Sequence, residues 1–210
     1  MSLIVDDLGH SYSDRWVFRH VNCCFADDSS IAIVGPSGVG KTTFISLVGG
    51  LIKAQEGSVR VRTAASEAPP APSDIAWVLQ TTNAFPNRST HANIAAPMIL
   101  RGWSKTEADR AAQVALARVG LESSSDEPAR HLSGGELQRL SIARAVAMRA
   151  PIVIADEPTG QLDDETTRHV LDLLTAGRHH PSLLIVVTHD PIVAAACDQQ
   201  WRLGADGLRL

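Results

Sequence analysis

Gly35-Pro36-Ser37-Gly38-Val39-Gly40-Lys41-Thr42-Thr43 is the stretch whose residue types and spacing most directly imply chemistry. A triphosphate needs several backbone N–H groups converging on it, and glycines let a chain curl close without side-chain clashes. The spacing is that of a phosphate-binding loop, two glycines five apart followed by lysine and threonine. Gly35, Ser37, Gly38, Gly40, Lys41, Thr42 and Thr43 are the expected cradle. Lys41 would reach the β- and γ-phosphates, and the Thr42 hydroxyl would ligate Mg²⁺. ATP and Mg²⁺ are therefore the expected ligands.

Three further groups could act on a bound phosphate. Asp156-Glu157 follows the apolar run Ile152-Val153-Ile154-Ala155. A carboxylate placed after such a strand can hold Mg²⁺, the role expected of Asp156. Glu157 beside it could orient and deprotonate a water for in-line attack on the γ-phosphate. His189 closes the run Leu183-Leu184-Ile185-Val186-Val187-Thr188, where it could hydrogen-bond the γ-phosphate or serve as a structural cap. The His179-His180 pair before Pro181 shows no ligand spacing and reads as surface.

The elements that must position these groups follow from patterning. Ile31 to Val34 precedes the loop and a helical pattern, Phe44, Ile45, Leu47, Val48 and Leu51, follows it. The helix start adds its unpaired N–H groups and the positive end of its dipole. Residues 3–30 read as short strands and turns, with Tyr12 either an edge packing residue or a functional one. Residues 63–73 are small and proline-rich and read as an exposed loop. Ile75 to Leu79 is a strand ending on Gln80. From about 84 to 150 the pattern is helical, with a capping box at Ser104-Lys105-Thr106-Glu107 and apolar positions at Ala108, Ala111, Ala115 and Val119. Leu132-Ser133-Gly134-Gly135-Glu136 opens another helix, with Leu140, Ala143, Ala147 and Met148 on one side. Its glycines again offer backbone amides to an anion. The tail from Trp201 reads as a terminal hairpin. Near-continuous apolar strands alternating with helices predict a parallel sheet covered on both faces, and ligands bind beyond such strands' carboxyl ends. Gln80, Asp156, Glu157 and His189 all fall at those ends.

Composition narrows the function classes. The chain has 210 residues, 44% hydrophobic and 20% charged, enough for one large domain with a real core. A net charge of -4 and 4% aromatics argue against a nucleic-acid partner. No run approaches the roughly 18 apolar residues needed to cross a bilayer, so no direct membrane insertion is expected. Met1 to Asp7 has no basic region and does not read as a signal peptide. Three cysteines, two of them adjacent, make neither a disulfide framework nor metal spacing. The expected location is cytoplasmic, with any membrane role exercised through a partner.

In order and spacing these motifs resemble the nucleotide-binding subunit of ABC transporters over essentially the whole chain. Lys41 and Thr42 match its Walker A motif, Gln80 its Q-loop and Leu132 to Glu136 its signature. Ile152 to Glu157 match Walker B, Gly160-Gln161-Leu162-Asp163 the D-loop and His189 the switch histidine. The resemblance implies an α/β fold: a P-loop NTPase core with a mixed, mainly parallel sheet, a small N-terminal antiparallel β-subdomain and an α-helical subdomain. Residues 1–83 and 151–210 would form the RecA-like core with the β-subdomain, and 84–150 the helical subdomain, within one ABC ATPase domain spanning 1–210.

It also implies roles. Tyr12 would stack on adenine, and Gln80 would join both the catalytic set, with Glu157 and His189, and the metal ligands, with Thr42 and Asp156. Two subunits, a second copy or a homologous ATPase subunit, would pair head to tail around two ATP. Ser133 and Gly135 of one would contact the γ-phosphate held by the other, and Gly134 and Asp163 are also expected among the nucleotide-binding residues. The helical part would carry a groove gripping transmembrane permease subunits on the cytoplasmic face of the cell membrane. Phe85, Pro86, Ile94, Pro97 and Leu100 are candidates for its lining, though each alone reads as subdomain core.

Ala155 to Gly160 and Leu100-Arg101-Gly102 resemble the branch containing lipoprotein-release, macrolide-export and peptide-antibiotic-resistance ATPases and the ATPase of the cell-division pair. The sequence departs from that branch in its short, proline-rich segment between Val59 and Ile75 and in Gln161, where asparagine is usual. The first alternative is the ATPase of a cell-division-type mechanotransmission pair; the rival from another class is a soluble ABC ATPase acting on nucleic acid, but those insert a long coiled coil between phosphate loop and signature. A scaffold that binds without hydrolysing is opposed by Glu157 and His189.

Overall fold

Ser29–Val34 (β3), Ile75–Val78 (β6), Ile152–Asp156 (β7) and Leu183–Val187 (β8) are parallel strands in the order β3-β8-β7-β6. Every residue of β7 and β8 is buried. A strand covered on both faces has no solvent side to alternate toward, which explains their unbroken apolar sequence. The terminal hairpin, Gln199–Gly204 (β9) and Gly207–Arg209 (β10), extends the sheet, β9 lying parallel to β3. The computed structural model describes residues 1–80, 83–175, 182–204 and 207–210, and His179-His180 lies outside them.

The N-terminal region differs from expectation. Instead of several short strands it forms two long ones, Ser2–Tyr12 (β1) and Arg15–Ala26 (β2), which join Glu56–Arg62 (β4) and Glu67–Ala68 (β5) in an antiparallel sheet ordered β2-β1-β4-β5. Asp7 and His20 take positive φ, 49° and 55°, and the register slips beside them. Such bulges break the two-residue period, so the alternation looks weak in sequence. Beyond β4, the proline-rich segment is exposed yet not structureless. Within it β5 pairs with β4, and Pro72–Asp74 is a 3-10 turn.

Lys41–Val48 (α1) follows the phosphate loop, and Thr90–Leu100 (α2), Lys105–Arg118 (α3) and Gly134–Ala147 (α4) form the helical stretch. Capping boxes at Ser104-Glu107 and Ser133-Glu136 start α3 and α4. The buried stripe of α3 is Ala108, Ala112, Ala115 and Leu116; Ala111 is partly exposed, so the apolar face is turned slightly from the predicted one. Asp164–Thr175 (α5) and Pro191–Ala195 (α6) complete the chain.

The α4 helix joins two apolar cores. Leu140, Ala143 and Ala147 pack with α2 and α3, while Ile142 and Ala145 pack with β6, β7, β8 and α5. A buried aliphatic side chain contributes about 1.5–3 kcal/mol, so α4 is held on both faces. Ile94 is fully buried in the first of these cores, which rules it out as a groove residue. Phe85 and Leu100 are exposed, at 52% and 86%. Among the described residues no helix is long and apolar enough to cross a membrane.

Candidate functional site

Parallel strands present their carboxyl ends at one sheet edge. The phosphate loop leaves β3, Gln80 lies just beyond β6, Asp156 ends β7 and His189 lies just beyond β8. Tyr12, Ser37, Gly38, Gly40, Lys41, Thr42, Thr43, Gln80, Asp156 and Glu157 line one cleft there. Val17 and Val187 line it too; neither is a chemistry-bearing type, and sequence reasoning missed both.

Gly40 begins α1 with φ 105°, and a Cβ on it would overlap Val17 Cγ1, so the turn requires glycine. Lys41 Nζ donates to the carbonyls of Gly35 and Pro36 at 2.9 and 3.0 Å, which folds the ammonium back over its own loop. The Thr42 hydroxyl donates to Asp156 Oδ2 at 2.9 Å. Burial pushes the Asp156 carboxyl above its usual range; the Thr42 bond opposes this, while neighbouring Glu157 adds to it. Hard oxygen donors from a hydroxyl and a buried carboxylate, with a second carboxylate adjacent, fit Mg²⁺, which takes one or two protein ligands alongside phosphate oxygens.

Glu157 sits in the left-handed region at φ 47°, a conformation that costs a glutamate on the order of 1–3 kcal/mol. Its N–H donates to Val187 O at 2.9 Å, tying it across to β8. His189 Nδ1 lies 2.8 Å from Glu157 Oε1, and the Thr188 hydroxyl and His189 N–H both approach Oε2 at 3.4 Å. Through that hydrogen bond first and its charge second, Glu157 raises the pKa of His189 above 6.5.

Tyr12 is 56% exposed at the cleft rim, its hydroxyl 3.5 Å from Thr43 Oγ1, and His10 packs edge-on to its ring at a 5.0 Å centroid distance. The signature residues stand elsewhere. Ser133, Gly134 and Gly135 start α4 and do not line the cleft. The Ser133 hydroxyl donates to Glu136 Oε2 at 2.6 Å, which completes the cap. Asp163 likewise caps α5: Thr166 donates to its two oxygens at 2.9 and 2.8 Å. Those bonds hold its carboxyl below the usual range.

Gln138 was not found by sequence reasoning. It is 1% exposed and donates to Pro158 O at 2.8 Å, beside Glu157. The available signal was a glutamine on the stripe that also carries Ile142 and Ala145, the side of α4 facing the sheet.

A family model described as ABC transporter matches residues 18–160. The lipoprotein-releasing system ATP-binding protein LolD of Chromohalobacter salexigens is 38% identical over 181 residues, covering 82% of this chain and 76% of that protein. The macrolide export ATP-binding/permease protein MacB of Pasteurella multocida is 32% identical over 203 residues, 93% of this chain and 31% of that protein. Among solved structures, the dimeric post-hydrolysis state of the ATP-binding cassette MJ0796, bound to ADP and Pi, matches with a TM-score of 0.87 at 27% identity. That match covers 98% of this chain and 96% of the other.

Proposed function

The chain belongs to the ABC transporter family, and from that membership we propose an ATP-hydrolysing subunit that pairs around two nucleotides and drives a transmembrane partner. Its fold is the α/β nucleotide-binding cassette with a mainly parallel sheet. Residues 1–83 and 151–210 serve as the nucleotide-binding core and 84–150 as a helical subdomain, joined through α4. The observation that carries the catalytic reading is the convergence at one sheet edge of the Thr42–Asp156 bond and the Glu157–His189 pair, at 2.9 and 2.8 Å.

In this reading the phosphate-loop amides and Lys41 hold the β- and γ-phosphates, and Tyr12 stacks on the adenine. Thr42 and Asp156, with Gln80 nearby, hold Mg²⁺, which when bound neutralises charge developing on the transferred phosphoryl group. Glu157 orients the attacking water and takes its proton, and His189 hydrogen-bonds the γ-phosphate. Ser133 and Gly135 act on the nucleotide of a second subunit, as their position outside their own cleft suggests. The dimeric state of MJ0796 with ADP and Pi supports that arrangement. Exposed Phe85, in the loop before α2, with half-buried Ala92 and Ala96 on α2 and exposed Leu100 at its end, are the surface offered to the transmembrane subunits, and in this reading the chain is peripheral on the cytoplasmic side of the membrane. Likeness to LolD and MacB favours the lipoprotein-release and macrolide-export branch.

Glu157→Gln tests the chemistry. It keeps shape but removes the base, so turnover falls by about 10²–10⁴-fold while ATP binding persists and the ATP-bound dimer accumulates. Hydrolysis near the wild-type rate would remove Glu157 from the general-base role.

A further inference from the structure

Glu157 begins a short loop, residues 157–162, that leads from β7 toward α5, and α4 touches this loop at two separate points. The first is Gln138. A mid-helix glutamine with 1% exposure is costly unless its amide is satisfied, and here Nε2 donates to Pro158 O at 2.8 Å. The second lies one helical turn earlier, on the same face of α4. Gln161 reaches over the helix start so closely that a Cβ on Gly134 would lie 2.5 Å from its Oε1. A Cβ on Gly135 would lie 3.2 Å from its backbone oxygen. The loop is internally bonded as well, Gly160 N–H donating to Glu157 O at 3.4 Å and Leu162 N–H to Thr159 O at 2.9 Å. The loop is therefore bonded to α4 at Pro158, packed against its start at Gln161, and tied to β8 through the Glu157 N–H.

We infer that Gln138 is a positioning residue that couples the signature turn of α4 to Glu157, with Gln161 as the second point of attachment. The inference rests on Glu157 being the general base and on the Ser133–Gly135 turn meeting the partner subunit's nucleotide. A small shift of α4 carries the Pro158 carbonyl with it. Glu157, one residue back in a left-handed conformation, then shifts relative to the attacking water. The state of the nucleotide touched by a subunit's signature turn is thereby transmitted to that subunit's own glutamate. Gln138 touches no reacting atom and acts only through Glu157.

The test is a double-variant cycle on the full chain. Gln138→Leu keeps volume but removes the donor. Turnover falls roughly 10- to 100-fold with KM for ATP within about threefold, because misplacing a catalytic group by an ångström costs that much. In the Glu157→Gln background, Gln138→Leu lowers the residual turnover no further, and ATP still drives dimer formation. Amide exchange across residues 157–160 slows on ATP-driven dimerisation of Glu157→Gln, and no longer does so when Gln138→Leu is added. A folded Gln138→Leu protein with wild-type turnover, or a loss that multiplies with that of Glu157→Gln, overturns the inference. If Gln138→Leu does not fold, exposed Gln161→Ala replaces it in the cycle. It lowers turnover less, about two- to tenfold, but is equally without effect on Glu157→Gln; unchanged turnover counts against the coupling. Turnover of Glu157→Gln itself near the wild-type rate would fail the base assignment rather than the coupling, so the two failures are distinguishable.

Discussion

His189 keeps its proton to higher pH than a free imidazole, because its Nδ1 donates to Glu157 Oε1 at 2.8 Å and the carboxylate favours the charged ring. For a histidine whose folded pKa is raised, the ion pair is fully present below 6.5 and is lost as pH climbs through the raised value. The ring is 77% exposed, so the pair orients Glu157 more than it stabilises the fold. Ring resonances of His189, followed by NMR through a pH titration, therefore report a midpoint above 6.5, and Glu157→Gln moves it back toward 6.5. The same midpoint in both proteins would separate the two side chains. Lys41, Thr42, Asp156 and Glu157 were legible in the sequence because each sits at a fixed distance from an apolar strand. The partner of Gln138 was not, because its acceptor is a backbone carbonyl 20 residues away and no side-chain type announces it.

Among the elements, the attachment of the helical stretch to the sheet is the least legible part. Arg101 stands in the turn between α2 and α3, within the Leu100-Arg101-Gly102 triplet that marked a branch resemblance. Its guanidinium donates to the carbonyls of Pro72, Ser73 and Ile75 at 2.7, 3.1 and 3.0 Å. The triplet is thus a tether, and the end of the proline-rich segment is the surface it grips. Arg101→Ala leaves those carbonyls without their donor, a loss of about 1–3 kcal/mol. In a domain of this size each kcal/mol lowers Tm by about 2–4 °C. Thermal unfolding of the variant checks this, together with faster amide exchange over residues 72–78; an unchanged Tm would make the tether incidental. The starts of α3 and α4, by contrast, were readable. Ser104 opens a capping box that forms, and the start read at Leu132 to Glu136 closes a second box between Ser133 and Glu136. The long strands β1 and β2 were not, since bulges at Asp7 and His20 erase the period that reveals a strand.

For the whole molecule, the decisive geometry is that the signature turn and the phosphate loop of one chain do not meet in one cleft. A site that needs both must take them from two chains, and a twofold dimer then makes two equivalent sites. This gives a prediction that a self-contained site cannot reproduce. Lys41→Ala disables the cradle and Ser133→Arg the turn, so each variant alone hydrolyses ATP near background. In a mixed dimer one site carries both defects and the other carries neither. Mixing equal amounts puts half the chains in mixed dimers with one of two sites intact, so about a quarter of wild-type turnover returns. Turnover measured across mixing ratios peaks near equal amounts and vanishes at either end. If each chain completed its own site, every site in the mixture would carry one defect, and activity would stay at background at all ratios. Loss of recovery when Glu157→Gln is added to the Ser133→Arg chain, but not to the Lys41→Ala chain, identifies the working site as the one whose phosphate loop and glutamate share a chain.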